Sequence, residues 1–155
     1  MIAKNPPNIT AARIISSSIV EITWKTGEIL SVDLHHVIDK NPVFEPLQDI
    51  EFFNRMTADE WGHALEWPGG LDIGSDRLYD MGREQAGLPT IRAFNEWMER
   101  NEFSLTTAAE AIGMTRRMIA HYRTGSRPIP RSVWLACIGW DCQHRHHSRH
   151  QRKAA

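Results

Sequence analysis

Two neighbouring segments in the first quarter of the chain alternate between apolar and polar residues with a period of two. In residues 19–24 (IVEITW) large apolar residues recur at every second position from Val20, and in residues 28–34 (EILSVDL) they recur from Leu30. This period is typical of β-strands that bury one face. Residues 25–28 (KTGE) join the two segments and predict a hairpin turn.

Shorter patterns fill the rest of the first 82 residues. Asp49 is a suitable cap for a helical turn that places Ile50 and Phe53 on one face, and His35–His36 is expected at a strand end. Together these patterns predict an α+β domain over residues 1–82, a small antiparallel sheet with short helices. Its further expected elements are a strand over Ile9–Ile15, a strand over His63–Trp67, a turn over Pro68–Gly70 and a short helix from Ser75 to about Tyr79.

From Thr90 onward, apolar residues recur at helical spacing instead. Three helices are expected to start after capping residues, which are Thr90, Ser104 and Thr115. Gly113 and Gly125 are expected to end the second and third of these helices, because glycine readily adopts the left-handed conformation found there. The three helices are therefore expected to share one apolar core.

A fourth helix is predicted after Pro130, which suits the first turn of a helix. Its expected buried face consists of Val133, Trp134, Cys137 and Ile138. Residues 83–89 contain glycine and proline and are interpreted as a linker. Residues 90–141 are then a second, all-α domain, and residues 142–155 are expected to form a flexible basic tail rich in histidine.

The composition is that of a folded protein. The chain has 155 residues, 41% hydrophobic and 24% charged, which suits one medium domain or two small ones. No segment approaches the roughly 18 consecutive apolar residues of a membrane span, and the first residues lack a signal-peptide core. Because Cys137 and Cys142 are the only cysteines, no disulfide framework is expected, and a cytoplasmic, reducing location is predicted.

The net charge of −1 conceals a division of charge along the chain. Residues 1–86 hold 7 lysines and arginines against 14 aspartates and glutamates, a balance of −7, whereas residues 87–155 hold 11 against 5, a balance of +6. Such asymmetry often marks a part of a chain that meets a polyanion, but a basic surface without such a partner is about as common.

The third predicted helix has a basic outer surface. With its apolar residues turned inward, the residues expected to project outward are Arg116, Arg117, Ala120, His121 and Thr124. A helix fits the DNA major groove, where arginine can bind guanine O6 and N7 through two hydrogen bonds. No acidic residue lies between Glu110 and Asp141, an interval that also holds Arg123, Arg127 and Arg131. Attraction to phosphate is therefore expected.

Residues 104–125 follow the pattern S-x-x-x-A-A-x-x-I-G-M-T-R-R-x-I-x-x-Y-x-x-G. Over residues 90 to about 141 the chain resembles the phage-repressor-like (lambda-repressor-like, Xre type) helix-turn-helix family. The resemblance implies a bundle of four to five helices, with Arg116, Arg117 and His121 at recognition-helix positions and Ser104–Thr106 where the preceding helix meets phosphate. Many members carry glutamine where this chain has Leu105, so only backbone N–H groups can make that contact here.

The front half has its own resemblance, carried by NPPNITAARI, WKTGEILSVDL, VFEPLQD and LEWPGGLDIGSDRLYD. It is similar to the bacterial domain-of-unknown-function 2442 family. That family implies a compact α+β module, sometimes joined to a helix-turn-helix domain and often suspected of acting beside toxin–antitoxin genes. The resemblance implies no catalytic residue.

Two polar clusters raise metal or catalytic alternatives. Asp72, Asp76 and Asp80 would share one side of a helix, but Gly74 interrupts the pattern and no histidine stands at ligand spacing. A solvated acidic face or helix caps are the simpler interpretation. The second cluster is Cys142, His144, His146, His147 and His150, bunched at the terminus rather than paired around a loop as in structural zinc sites. The sequence predicts no metal site and no cofactor.

These patterns together predict a sequence-specific DNA-binding protein, a transcriptional regulator or antitoxin-like repressor that binds double-stranded DNA as a homodimer. The expected DNA-binding residues are Ser104, Thr106, Thr115, Arg116, Arg117, Ala120, His121, Arg123 and Arg127. The alternative is a protein–protein adaptor or toxin-binding module, in which the acidic front domain recruits the partner. An enzyme centred on the three aspartates ranks last, because no nucleophile, base and orienting group can be assembled.

Overall fold

The structure, a computed structural model, describes the backbone of residues 7–153 and the side chains of residues 7–145. The chain divides after Gly87 into two compact units. We call them the front unit, which ends at Gly87, and the back unit, which begins at Leu88.

The front unit contains two three-stranded antiparallel sheets, ordered β1-β2-β3 and β4-β5-β6. The predicted hairpin is confirmed, since β2 pairs with β3 in the register Ile22↔Leu30. Val20 and Val32 are completely buried, as the period of two requires. The strands are β1 Ile9–Ile14, β2 Ile19–Trp24, β3 Ile29–Asp33, β4 Thr57–Ala58, β5 Ala64–Trp67 and β6 Leu71–Gly74.

Four helical segments accompany the sheets. They are α1 His35–Lys40, a 3₁₀ helix Pro42–Gln48, α2 Ile50–Phe53 and α3 Ser75–Gln85. Asp49 caps α2, since its side chain accepts a hydrogen bond from the Glu51 amide. The predicted shared face is wrong, however, because Ile50 is 56% exposed while Phe53 is fully buried. The α+β class of the front unit is confirmed.

The predicted turn over Pro68–Gly70 is confirmed, because it joins β5 to β6 in an antiparallel pair. Two further expectations for the front unit are wrong. His35–His36 is not a strand end but the first turn of α1, where His35 Nε2 lies 3.1 Å from Asp39 Oδ2 one turn later. Finally, α3 does not stop near Tyr79 but continues to Gln85, so residues 83–85 of the predicted linker are helical.

The described residues of the back unit form four helices, which are α4 Ile91–Arg100, α5 Leu105–Ile112, α6 Arg116–Thr124 and α7 Arg131–Lys153. The three predicted capping residues are confirmed, because the side chains of Thr90, Ser104 and Thr115 each accept a hydrogen bond from a backbone amide three residues later. Gly113 and Gly125 end α5 and α6 in the left-handed conformation, with φ of 69° and 80°.

One apolar core fills the back unit, and Cys137 and Tyr122 belong to it as predicted. Ile138 does not, because it is 42% exposed. The inward side of α7 instead continues from Cys137 to Trp140, which packs edge-on against Phe103 at 5.5 Å between ring centroids.

The C-terminal helix also runs past the predicted domain end. α7 continues from residue 141 to Lys153, where the sequence predicts a separate tail. Residues 142–153 contain neither proline nor glycine, so no local signal ends the helix there.

Candidate nucleic-acid interface

The N-terminal turn of α6 presents two adjacent arginines to solvent. Thr115 fixes this turn, since its Oγ1 accepts a hydrogen bond from the Met118 amide at 3.3 Å. Arg116 and Arg117 follow immediately and are both exposed. Neither has an ion pair or hydrogen-bond partner among the side chains described in residues 7–145. Both guanidinium groups therefore remain available to an external acceptor.

Two more of the predicted arginines lie further along the chain, at the other end of α6 and in the loop after it. Arg123 is exposed near the end of α6, and its carbonyl oxygen accepts a hydrogen bond from Asn95 Nδ2 of α4 at 3.1 Å. Arg127 is exposed in the loop after α6, and its Nη1 lies 3.8 Å from Met118 Sδ. That contact holds the Arg127 side chain against α6, so its positive charge adds to that of the helix start.

Asp141, the first acidic residue after the arginine-rich interval, is already paired with a positive charge. Asp141 Oδ2 accepts a hydrogen bond from Arg100 Nη2 at 2.6 Å, and Asp141 Oδ1 accepts one from Asn101 Nδ2 at 3.0 Å. Partial burial opposes ionisation of this carboxyl group, but the bonds from Arg100 and Asn101 outweigh it and lower the pKa of Asp141. The negative charge of Asp141 is therefore compensated within the contact between α4 and α7.

At the start of α5 two of the hydroxyls, those of Ser104 and Thr107, are committed to a capping interaction. Ser104 Oγ accepts from the Thr107 amide at 3.1 Å, and Thr107 Oγ1 accepts from the Ser104 amide at 2.8 Å, a reciprocal capping box. The Ser104 hydroxyl is therefore committed to the helix. The amides of Leu105 and Thr106 belong to the first helical turn, which has no intrahelical acceptor for them, and Thr106 is exposed.

Two predicted contact residues are placed differently from expectation. His121 and Ala120 are only half-exposed. The His121 Nδ1 atom lies 2.8 Å from Ser126 Oγ, and its Nε2 atom is buried without a hydrogen-bond partner among the described residues. The imidazole therefore turns toward the loop after α6 instead of outward, because Ser126 holds it there.

Sequence reasoning missed the polar network that closes the end of α6. Thr124 Oγ1 lies 3.1 Å from both the Ala120 carbonyl oxygen and Ser126 Oγ, and Ser126 contacts His121. Serine and threonine flanking a helix-ending glycine commonly bond to nearby backbone carbonyls, and that pattern could have indicated the network. Its effect is to fix the orientation of α6 relative to the loop that carries Arg127.

The three aspartates of the front unit do not share a helix face. Asp72 lies on β6, and Asp76 lies in the first turn of α3, where its Oδ1 accepts a hydrogen bond from the Arg77 amide at 2.8 Å. Asp80 lies one turn further along α3. Among the described side chains no group of three or more histidine, cysteine, aspartate and glutamate residues converges as a metal site.

The histidine cluster at the end of the chain is only partly described. His144 stacks on Trp140 with ring centroids 3.6 Å apart, and its Nδ1 lies 2.9 Å from the Trp140 carbonyl oxygen. The side chains of His146, His147 and His150 lie outside the described residues, so the metal alternative for them stays untested. Over the described part of the chain, no helix is both long and apolar enough to cross a membrane.

A largely buried cluster of charged groups in the front unit has a structural role. Arg83 Nη1 donates to Glu28 Oε1 at 2.6 Å, and Tyr79 Oη donates to Glu28 Oε2 at 2.5 Å. The Arg83 and Glu28 side chains are only 4% and 17% exposed. Burial and the bond to Glu28 raise the pKa of Tyr79, so the phenol stays a neutral donor. These contacts join α3 to the β2–β3 hairpin.

These observations define an α+β front unit followed by a helical back unit with an exposed basic helix start. A family model described as "Protein of unknown function (DUF2442)" matches residues 9–84, which confirms the predicted resemblance of the front half. A search among curated proteins gave no significant match.

A solved structure resembles most of the chain. It is the crystal structure of "Putative DNA Binding Protein NE0471 from Nitrosomonas europaea ATCC 19718", which is 43% identical with a TM-score of 0.69 over 87% of this chain and 86% of that one. The chain therefore belongs to the same family as the Nitrosomonas protein and carries the DUF2442 domain in its front unit. The helix-turn-helix resemblance of residues 90–141 stays a prediction.

Proposed function

We propose that this protein binds double-stranded DNA sequence-specifically through α6, as a transcriptional regulator or antitoxin-like repressor. The observation that carries the proposal is the pair of exposed, unpaired arginines in the first turn of α6. A helix start that projects two guanidinium groups suits the major groove, where an arginine can read guanine through two hydrogen bonds. The name of the Nitrosomonas protein supports a DNA partner.

The back unit is proposed to belong to the lambda-repressor-like helix-turn-helix class. Supporting this are the left-handed Gly113 between α5 and α6, the capping box at the start of α5, and the packing of Tyr122 in the core. In this arrangement α5 meets phosphate through the Leu105 and Thr106 amides, and α6 enters the groove. Arg123 and Arg127 attract phosphates, and His121 positions the loop rather than reading a base.

A homodimer is part of the proposal. A single recognition helix reads only a few base pairs, and paired half-sites one helical turn apart are the usual way to reach a specific operator. No cofactor and no catalytic step is required for this function. If Asp76→Asn removed an enzymatic activity of the full chain without unfolding it, the non-enzymatic proposal would fail.

The test is selection from a random-sequence duplex pool over a salt series, with the bound fraction sequenced. An inverted repeat should be enriched, and its affinity should fall as salt rises. On that site Arg117→Ala should cost about 1–3 kcal/mol and relax base choice at one position of each half-site. Arg92→Ala, which removes a surface arginine of α4, serves as the matched control and should change affinity little.

The proposal would be contradicted if the Arg117→Ala variant bound the selected site with the same affinity and the same base choice as the original chain. Absence of any binding at low salt would favour the second candidate, a protein–protein adaptor. That candidate rests on the acid excess of the front half, 14 acidic against 7 basic residues over residues 1–86, which suits a basic protein partner such as a toxin.

A further inference from the structure

One side of α7 carries apolar residues that face away from the back-unit core. Leu135 and Ile138 are 59% and 42% exposed, whereas Cys137 on the opposite side is fully buried. Gly139 and Cys142 are exposed on the same side as Leu135 and Ile138. We call these four residues, Leu135, Ile138, Gly139 and Cys142, the outer face of α7.

The outer face is open to a close neighbour. A Cβ atom placed on Gly139 would meet no heavy atom within 4 Å in the described residues, so another backbone could approach there. α7 has 23 residues and is therefore about 35 Å long. Among its described side chains, up to residue 145, those that reach the core include Val133, Cys137 and Trp140. Covering exposed leucine and isoleucine is favourable, because it removes apolar area from water.

We propose that the outer face pairs with the outer face of a second copy of this chain, with the two helices antiparallel across a two-fold axis. Along α7 the residues run large, large, small, small. With the axis between Ile138 and Gly139, Leu135 lies opposite Cys142 of the second copy and Ile138 lies opposite Gly139. Each large side chain then meets a small residue, the self-complementary arrangement that a two-fold interface requires.

Charge permits the same arrangement. Asp141 is held inward by Arg100, so it does not face the second copy. Arg145 lies opposite Ser132 of the second copy, one residue away from Arg131 rather than directly opposite an arginine. A parallel arrangement would instead place Leu135 on Leu135, Arg145 on Arg145 and Cys142 on Cys142, which packs large against large and repels at one end.

The contact is small and the dimer should be weak on its own. A single helix pair buries less than the roughly 1,200–2,000 Å² of a standard specific interface. The pairing is independent of DNA, and its test contains none, so the DNA-binding proposal and this one can fail separately. Two half-sites on one operator would strengthen the pairing by holding both copies close together.

Disulfide trapping of the full-length Leu135→Cys variant tests the orientation. The introduced thiol should lie beside Cys142 of the second copy, and diamide would accept the two electrons and two protons released as the S–S bond forms. We expect a covalent dimer on a non-reducing gel, at least tenfold faster than for Thr106→Cys, which places a matched exposed thiol on α5. Cys137 should not take part, because burial raises the pKa of its thiol to about 12.

Two further variants make the result specific. Leu135→Cys combined with Cys142→Ser should lose the crosslink. The introduced thiol of each copy would then have only that of the other copy as a partner, and these two thiols lie on opposite sides of the axis. Leu135→Cys combined with Ile138→Glu should also lose it, because a charge would face Gly139 of the second copy. Leu135→Cys crosslinking no faster than Thr106→Cys would overturn the pairing. Efficient crosslinking of the unmodified chain through Cys142 would overturn the antiparallel orientation in favour of a parallel one.

Discussion

Gly82 sets how closely α3 approaches β3. A Cβ atom at this position would lie 3.1 Å from Leu30 Cβ and 3.2 Å from Val32 Cγ2. The sequence places Gly82 at the end of the front domain, after a helix that is expected to stop near Tyr79, because glycine is unfavourable inside a helix. The structure shows the opposite role, since the missing side chain lets the helix lie on the strand and continue to Gln85. Sequence periodicity carries no signal for such a close approach.

At the residue scale we predict that Gly82→Ala destabilises the front unit. Leu30 and Val32 are buried strand residues with little room to move, so overpacking should cost about 1–3 kcal/mol. This loss exceeds the gain of up to about 1 kcal/mol that alanine brings to a helix interior. Guanidinium denaturation of the full chain, followed by tryptophan fluorescence, measures the difference.

Gly139→Ala is the matched control for this prediction. Gly139 also lies in a helix, but a Cβ atom there meets nothing within 4 Å. At dilute protein concentration this variant should be as stable as the original chain, or more stable. If both alanine variants proved stabilising, the close packing of α3 on β3 would not be the reason for the glycine.

At the scale of elements, local signals predicted some parts and failed on others. Caps and helix-ending glycines act within one turn of chain, so Ser104, Thr115 and Gly113 revealed the borders of α5 and α6. The sequence does not predict α1, because its start is held by a side chain that also bonds to a distant residue. Asp33 Oδ1 accepts hydrogen bonds from both the His35 amide and Ser18 Oγ.

The candidate interface was predictable to a similar extent. Exposure of Arg116 and Arg117 followed from the helical period of the apolar residues between them and Tyr122. The orientation of His121 did not, because it depends on Ser126, beyond the end of the helix. The sequence places Ile138 in the core because it is apolar, but in the structure it lies on the outer face of α7. Trp140 packs inward instead, and only tertiary packing decides between the two.

The contact between α4 and α7 gives an element-scale prediction with a defined pH dependence. Because Arg100 and Asn101 lower the pKa of Asp141, the ionised carboxylate stabilises the fold at pH values above its unfolded pKa of about 4. This stabilisation is lost as the pH falls through the lower folded pKa. Asp141→Asn should therefore be less stable than the original chain at pH 7, and the gap should narrow as the pH falls below about 4.

Urea denaturation at pH 7 and pH 3, followed by far-ultraviolet circular dichroism, measures this gap. Glu96→Gln is the control, because Glu96 forms only a loose 3.8 Å ion pair with Arg92 on the surface of α4. Its stability should match the original chain at both pH values. An Asp141→Asn gap that stayed constant between pH 7 and pH 3 would mean that the contact does not depend on the carboxylate charge.

At the scale of the whole molecule, the division of charge matters more than the net value. The first 86 residues carry −7 and the rest +6, so the chain as a whole has almost no net attraction to a polyanion. The back unit has its own apolar core, from Phe94 in α4 to Cys137 in α7. Binding DNA therefore requires the basic surface of the back unit to act while an acidic unit is tethered to it.

We predict that residues 88–155 alone bind random-sequence DNA more tightly at low salt than the full chain does. Removing the acidic front unit removes a repulsion of phosphate, and that repulsion is long-ranged only when the Debye length exceeds about 10 Å, below about 0.1 M salt. The two affinities should therefore converge as salt rises, in a fluorescence anisotropy titration over a salt series.

Circular dichroism of the fragment must first show that its helices are intact. Arg116→Ala with Arg117→Ala in the fragment should weaken the binding, which ties the effect to α6. A fragment that bound more weakly than the full chain at every salt concentration would instead mean that the front unit contributes its own contacts to DNA.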